Sequence, residues 1–139
     1  MARVAALVFV VRNLVCALAV YENGLGFERV EGPSDVPSLG ARHVVLRGDD
    51  CTLELLEPHD ERLPPGIFLR ARGEGVFALG VDVSAPGQAA ARLKQAFIQV
   101  RGAVGESAGP PGGRMFIAPI DAHGVLVEIN AAADEPPAP

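Results

Sequence analysis

The chain has no tryptophan, and aromatic residues make up only 5% of its 139 residues. Large aromatic side chains therefore cannot dominate its core. Apolar residues nevertheless make up 49% of the chain, so a core must consist mostly of Val, Leu, Ile and Ala. This length and apolar content predict one domain, which we place at residues 1–131.

Cysteine is also scarce, with only Cys16 and Cys51 in the chain. They do not form the closely spaced pairs typical of zinc sites. We expect a cytoplasmic protein in which both thiols are small buried side chains, as free cysteines usually are.

Basic residues are too few for a nucleic-acid partner. The chain has 12 Lys and Arg and 17 Asp and Glu, which gives a net charge of -5. The apolar run Val4–Val11 is interrupted by Arg12 and Asn13. It is too short for a membrane span of ~20 residues and lacks a signal-peptide layout. We therefore predict a buried strand here and no membrane partner.

Hydrophobic periodicity and turn residues predict the remaining elements. After Val4–Val11, Asn13 is expected to cap a helix that glycines end by Gly24. The first half then continues with strand Phe27–Gly32, loop Pro33–Gly40, hairpin strands Arg42–Arg47 and Thr52–Glu57, and loop Pro58–Pro65. For Ile67–Arg72, both a helical turn and an extended link remain open.

The same order restarts in the second half. We predict strand Val76–Val83, helix Gln88–Val100 opened by Pro86, a short strand Gly102–Glu106, and hairpin strands Arg114–Ala118 and Val125–Asn130. The fold class is thus α+β, because two helices are too few to cover a parallel sheet. The two βαβββ repeats are placed at residues 3–58 and 75–131, with a link at 59–74 and a disordered tail at 132–139.

One short stretch recurs in both halves. Thr52–Leu55 matches Leu126–Ile129, and each stretch places a glutamate, Glu54 or Glu128, between apolar strand residues. A carboxylate is unfavourable in such a setting unless it is paired, hydrated or bound to a metal. These glutamates are candidate acid–base groups, although two solvated side chains in a wet cleft would give the same pattern.

His43 is the third candidate, because strand register can place it beside Glu54. If Asp49 and Asp50 form a two-residue loop, Val45 lies opposite Glu54. Period two then puts His43 on the same face, where it can act as an acid or base. A loop longer by one residue reverses this face and leaves His43 as an ordinary strand residue.

The ordered motifs resemble the vicinal-oxygen-chelate superfamily, which contains glyoxalases, ring-cleaving dioxygenases and antibiotic-resistance proteins. Within it, the methylmalonyl-CoA epimerase group is the nearest resemblance. The resemblance spans residues 3–130 and is carried by Val8–Leu14, Tyr21–Phe27, Leu53–Pro58, Gly66–Leu69 and His123–Ile129. It implies a curled mixed sheet around an open cavity, and a homodimer.

The resemblance also assigns metal-ligand positions to Ala6, Glu54, Ala78 and Glu128, where alanine replaces the two usual histidines. Two carboxylates without nitrogen ligands make a poor site for a transition metal. The usual base position falls near Ser38, and a serine hydroxyl is too weak to abstract an unactivated α-proton. We therefore expect no cofactor; the remaining metal possibility is Mg or Mn at Glu54, Glu128, His43 and water.

Further residues are candidate substrate contacts. Arg114 follows two glycines and can pair with an anion, Phe77 and Met115 can line an apolar pocket, and Ser38 can face the ligand. The plainer interpretations are a surface arginine and ordinary core residues.

Two functions fit this pattern. The first is a metal-independent isomerase or lyase that acts on a small carbonyl or carboxylic compound, possibly a thioester, through Glu128, Glu54 and His43. The alternative is a metal-free protein that binds or sequesters a small molecule such as a drug. The substitution Glu128→Gln separates them, because it should abolish turnover in an enzyme but only weaken ligand binding in a binding protein.

Overall fold

The computed structural model describes residues 1–102 and 115–132. Among these residues it contains eight strands and three α-helices, in the order β1 (Arg3–Val10), α1 (Leu14–Leu18), β2 (Glu28–Val36), β3 (Ala41–Arg47), β4 (Thr52–Pro58), α2 (Pro64–Arg72), β5 (Gly75–Val83), α3 (Pro86–Gln95), β6 (Val100–Gly102), β7 (Met115–Ile117) and β8 (Leu126–Ala131). No helix in this described part is long and apolar enough to cross a membrane.

The chain divides into two compact units. The first is Ala5–Ala78, and the second combines Met1–Val4 with the described part of Leu79–Pro139. Strands follow the order β2-β3-β4-β1 in the first unit and β5-β8-β7-β6 in the second. β1 runs parallel to β4, whereas β2–β3, β3–β4, β6–β7 and β7–β8 are antiparallel. The predicted α+β fold with βαβββ-type units is thus confirmed, while the repeat boundaries stay a prediction.

Helix α1 begins where the sequence places it. The Asn13 side chain accepts a hydrogen bond from the Cys16 N–H at 3.0 Å, and Glu57 accepts one from the Leu14 N–H at 3.0 Å. These two acceptors satisfy N–H groups that a helix start leaves unpaired, so the predicted cap is confirmed. Leu14 and Leu18 are buried in one core cluster with apolar side chains of β3 and β4. Cys16 is exposed, so the prediction that both cysteines are buried was wrong.

β2 is longer than predicted, because the segment Pro33–Gly40 is not all loop. The strand runs through Pro33 to Val36, with register shifts between Arg29 and Glu31 and between Glu31 and Ser34. Among the described strands β2 lies at an edge. A proline is tolerated there, since its missing N–H removes no inner ladder bond.

The segment that was predicted to link the two repeats contains a full helix, which agrees with the helical alternative for Ile67–Arg72 and excludes the extended one. Pro64 and Pro65 open α2 in its first turn, and Gly73 ends it with a positive φ of 82°. Before the helix, the Asp60 carboxylate accepts hydrogen bonds from the Arg62 guanidinium and N–H, which lower the pKa of Asp60 to about 2.

The second unit differs from prediction at the end of α3. The helix stops at Gln95 instead of Val100, because Ile98 donates its N–H back to the Leu93 carbonyl at 2.9 Å. Phe97 turns the chain with a positive φ of 62°. The short strand therefore starts earlier than predicted, at Val100, and residues 103–106 lie outside the described residues.

The close contact between α2 and the preceding loop predicts a stability effect. A Cβ at Gly66 would overlap the backbone carbonyl of Asp60, so Gly66→Ala should lower the free energy of unfolding by ~2 kcal/mol. Gly87→Ala is the matched control. It introduces the same methyl group into open space on α3 and should leave stability unchanged or raised by up to about 1 kcal/mol. Denaturant unfolding of both variants measures the difference, and equal stabilities would contradict this packing.

Candidate active site

The pairing of β3 with β4 sets the geometry of the candidate site. Val45 lies opposite Glu54, and His43 lies opposite Leu56. The Gly48 N–H donates to the Cys51 carbonyl at 2.9 Å and closes the hairpin. The register predicted from the Asp49-Asp50 loop is therefore confirmed, and His43 and Glu54 share one face of the sheet.

His43 and Glu54 are in direct contact on that face. The ring Nδ1 lies 2.9 Å from Glu54 Oε2, and a carboxylate can only accept, so Nδ1 donates. His43 is buried, with 9% of its surface exposed, whereas the Glu54 side chain is 27% exposed. A carboxylate on one ring nitrogen fixes the tautomer and leaves the other nitrogen available for chemistry.

Glu31 approaches the second ring nitrogen, and the sequence reasoning missed it. Its Oε1 lies 3.5 Å from His43 Nε2, and its side chain is 60% exposed. Glu31 pairs with Val45 across β2 and β3, which gives it the same face as His43. Strand alternation along β2 could have placed Glu31 on the same face as His43. The two register shifts in β2 interrupt that alternation, so the sequence alone does not predict the face.

The opposite face of the same strands is apolar. Val44, Leu46, Leu53 and Leu55 are buried and cluster with residues of α1. The polar residues therefore lie on the face turned away from α1, alongside Leu56 and, by register, Val8 and Val10 of β1. An acid–base group bordered by apolar side chains and a fixed carboxylate is suited to moving a proton on a small organic substrate.

The metal-ligand positions implied by the resemblance do not fit a transition metal. By strand alternation, Ala6 lies on the same face as Val8, which pairs with Glu54, but a methyl group offers no lone pair. Ala78 is buried with 4% exposure and is equally unable to bind a metal. Within residues 1–102 and 115–132, no three His, Cys, Asp or Glu side chains are grouped as ligands.

Glu128 occupies the same place in β8 as Glu54 does in β4, the third residue of the strand. It pairs with Phe116 of β7. Its neighbour Ile129 is buried against Ala90 of α3, so alternation turns Glu128 to the other face of its unit. The structural equivalence of the two glutamates follows, but their joint action stays a prediction.

The four predicted substrate contacts have different environments. Ser38 is exposed in a short 3₁₀ turn, Pro37–Leu39. Phe77 packs edge-on against Phe68, with ring centres 5.5 Å apart. Met115 is 4% exposed and belongs to the core beneath α3. Arg114 lies outside the residues that the structure describes.

Comparison with known families identifies the class of protein. Residues 3–129 match the model of the Glyoxalase/Bleomycin resistance protein/Dioxygenase superfamily. The chain therefore belongs to this superfamily, as its motifs indicated. A search of curated proteins found no match.

Solved structures share the fold over nearly the whole chain. A hypothetical protein from Bacillus halodurans C-125 is 24% identical, with a TM-score of 0.76 over 97% of each chain. Methylmalonyl-CoA epimerase from Mycobacterium tuberculosis is 26% identical, with a TM-score of 0.72 over 94% of this chain and 88% of that one. A substituted Streptomyces coelicolor methylmalonyl-CoA epimerase, bound to 2-nitronate-propionyl-CoA, is 25% identical, with a TM-score of 0.73 over 95% and 98%.

The contact between His43 and Glu54 predicts the ring tautomer. In its neutral form His43 should carry the proton on Nδ1, and Glu54→Leu should shift it towards Nε2, the form favoured without an acceptor at Nδ1. Long-range ¹H–¹⁵N correlation spectra of the two proteins measure this. Glu28→Gln, which removes a carboxylate that contacts Arg47 instead, is the control and should change nothing. An Nε2–H ring in the unsubstituted protein would contradict the contact.

Proposed function

We propose that the chain is an acid–base enzyme of the isomerase or lyase type that acts on a small carbonyl compound and works without a transition metal. The observation that carries the proposal is the 2.9 Å contact between His43 Nδ1 and Glu54 on the strand face turned away from α1. Family membership alone does not specify the reaction, because one superfamily hosts several activities.

His43 is the proton acceptor in this proposal. With Nδ1 donating to Glu54, the lone pair of the neutral ring lies on Nε2 and can take a proton from the carbon next to a carbonyl. The adjacent Glu54 carboxylate then stabilises the imidazolium that forms. Glu31, largely exposed beside Nε2, must move aside or pass the proton onward.

Glu128 is the second acid–base group, as the repeat indicated. A carboxyl group beside the substrate can exchange a proton with the oxygen on which negative charge develops. Support comes from the equivalence of β8 and β4, which puts each glutamate on the face away from its own helix.

An acyl thioester is the substrate form that we favour. Relatives with the same fold are methylmalonyl-CoA epimerases, and one of them binds 2-nitronate-propionyl-CoA. We further propose that the protein acts as a cytoplasmic homodimer, which the family resemblance supports. The binding or sequestering protein stays the second candidate, because Ser38, at the usual base position, is exposed and cannot serve as a base.

Proton exchange on a thioester tests the acid–base pair. With propionyl-CoA and methylmalonyl-CoA in D₂O, His43→Gln should slow α-proton exchange by on the order of 10²-fold or more, and Glu128→Gln should abolish it. His59→Gln is the matched control, since His59 pairs with Asp35 at 2.7 Å outside this site. Exchange that is unchanged in His43→Gln and Glu128→Gln would reject these residues as the acid–base groups, and no exchange in the unsubstituted protein would reject the enzyme. Binding of the thioester without exchange, weakened by Glu128→Gln, would support the binding protein.

Metal content tests the second half of the proposal. Protein purified without chelator or metal-affinity resin should contain far less than one equivalent of transition metal, because Ala6 and Ala78 supply no ligand atoms. Elemental mass spectrometry measures this, and exchange activity should survive treatment with a chelator. One bound equivalent per chain, together with activity lost on chelation, would overturn metal independence.

A further inference from the structure

The second unit contains a cavity of about 310 Å³ between α3 and the sheet. Its wall is apolar, with Val83 of β5, Ile117 of β7, Val127 of β8, and Ala89 and Leu93 of α3 among the lining residues. This volume lies at the lower end of small-molecule sites, ~300–1,000 Å³.

The cavity arises from the small side chains of α3. This helix turns Ala89 and Ala90 towards the sheet, and alanine ends at its Cβ. In the first unit, α1 fills the corresponding space with Leu14 and Leu18. The two helices occupy the same position in their repeats, so the gap results from the α3 sequence rather than from the fold.

This cavity is separate from the candidate active-site residues. Val127 and Ile129 line it, and the intervening Glu128 points to the other face of β8. His43 and Glu54 belong to the first unit. None of the three proposed acid–base groups is among the residues that line the cavity.

Arg92 gives the cavity its chemical preference. It is the charged residue of the lining, it is exposed, and it forms no ion pair with an acidic side chain in the described part of the chain. An apolar wall with one cationic rim group complements a molecule with a short hydrocarbon body and one negative end. We propose that this cavity binds a small apolar carboxylate, such as a medium-chain fatty acid.

Titration of the full-length protein with octanoate tests the site. Calorimetry should show one saturable site per chain. Ala89→Leu should weaken binding at least ~10-fold because the larger side chain fills the cavity. Ala91→Leu is the matched control, since it makes the same change on the exposed side of α3 and should bind normally. Failure to saturate, or equal effects of the two substitutions, would overturn the proposal.

A second pair of variants tests the charge and does not rely on repacking. Arg92→Gln should weaken octanoate about threefold and leave 1-octanol unaffected, whereas Lys94→Gln, on the same helix but outside the lining, should change neither. Equal responses of Arg92→Gln and Lys94→Gln would reject the carboxylate preference. Binding in His43→Gln should match the unsubstituted protein, and a loss there would place octanoate in the active site and reject the separate cavity.

Discussion

The register of β3 against β4 is the constraint on which the chemistry of the first unit depends. Because Val45 lies opposite Glu54, every second residue of both strands points away from α1. His43 is one of these residues and lies within hydrogen-bond distance of Glu54. A shift by one residue would turn these polar groups into the apolar cluster below α1. The buried leucines on the other side therefore hold the candidate site in place, because any slip would expose them.

The two units apply one plan with different side chains. In each, a helix covers one face of the strands, and a glutamate sits at the third residue of the last strand, on the opposite face. In the first unit a histidine contacts the glutamate and a second carboxylate approaches the other side of that histidine, while leucines of α1 pack against the strands. The second leaves space below its helix, where Arg92 borders an apolar cavity. The two units thus share an architecture and differ in the side chains that it carries.

Much of this could be predicted from the sequence, because it depended on short-range patterns. The helix cap at Asn13 and the hairpin register follow from spacing within a few residues, and the correspondence of Glu54 and Glu128 follows from a four-residue stretch that recurs in both halves. The remainder depended on tertiary context. Nothing local shows that β2 continues past Pro33, since an edge strand tolerates what an inner strand would reject. The register shifts in β2 prevented a prediction of the face on which Glu31 lies. The early end of α3 depends on Phe97, which adopts a positive φ that favours glycine.

The irregular edge formed by β2 bears on how copies of this chain meet. An exposed strand with a regular row of N–H and C=O groups can recruit strands from other molecules and start aggregation. Here Pro33 removes one donor and two register shifts interrupt the row. Charged side chains also line this edge, where Arg29 pairs with Glu22 and Glu28 pairs with Arg47, and such groups disfavour edge-to-edge pairing. Strand-to-strand growth along β2 is thereby disfavoured, because a second copy would find few regularly spaced backbone groups there to pair with.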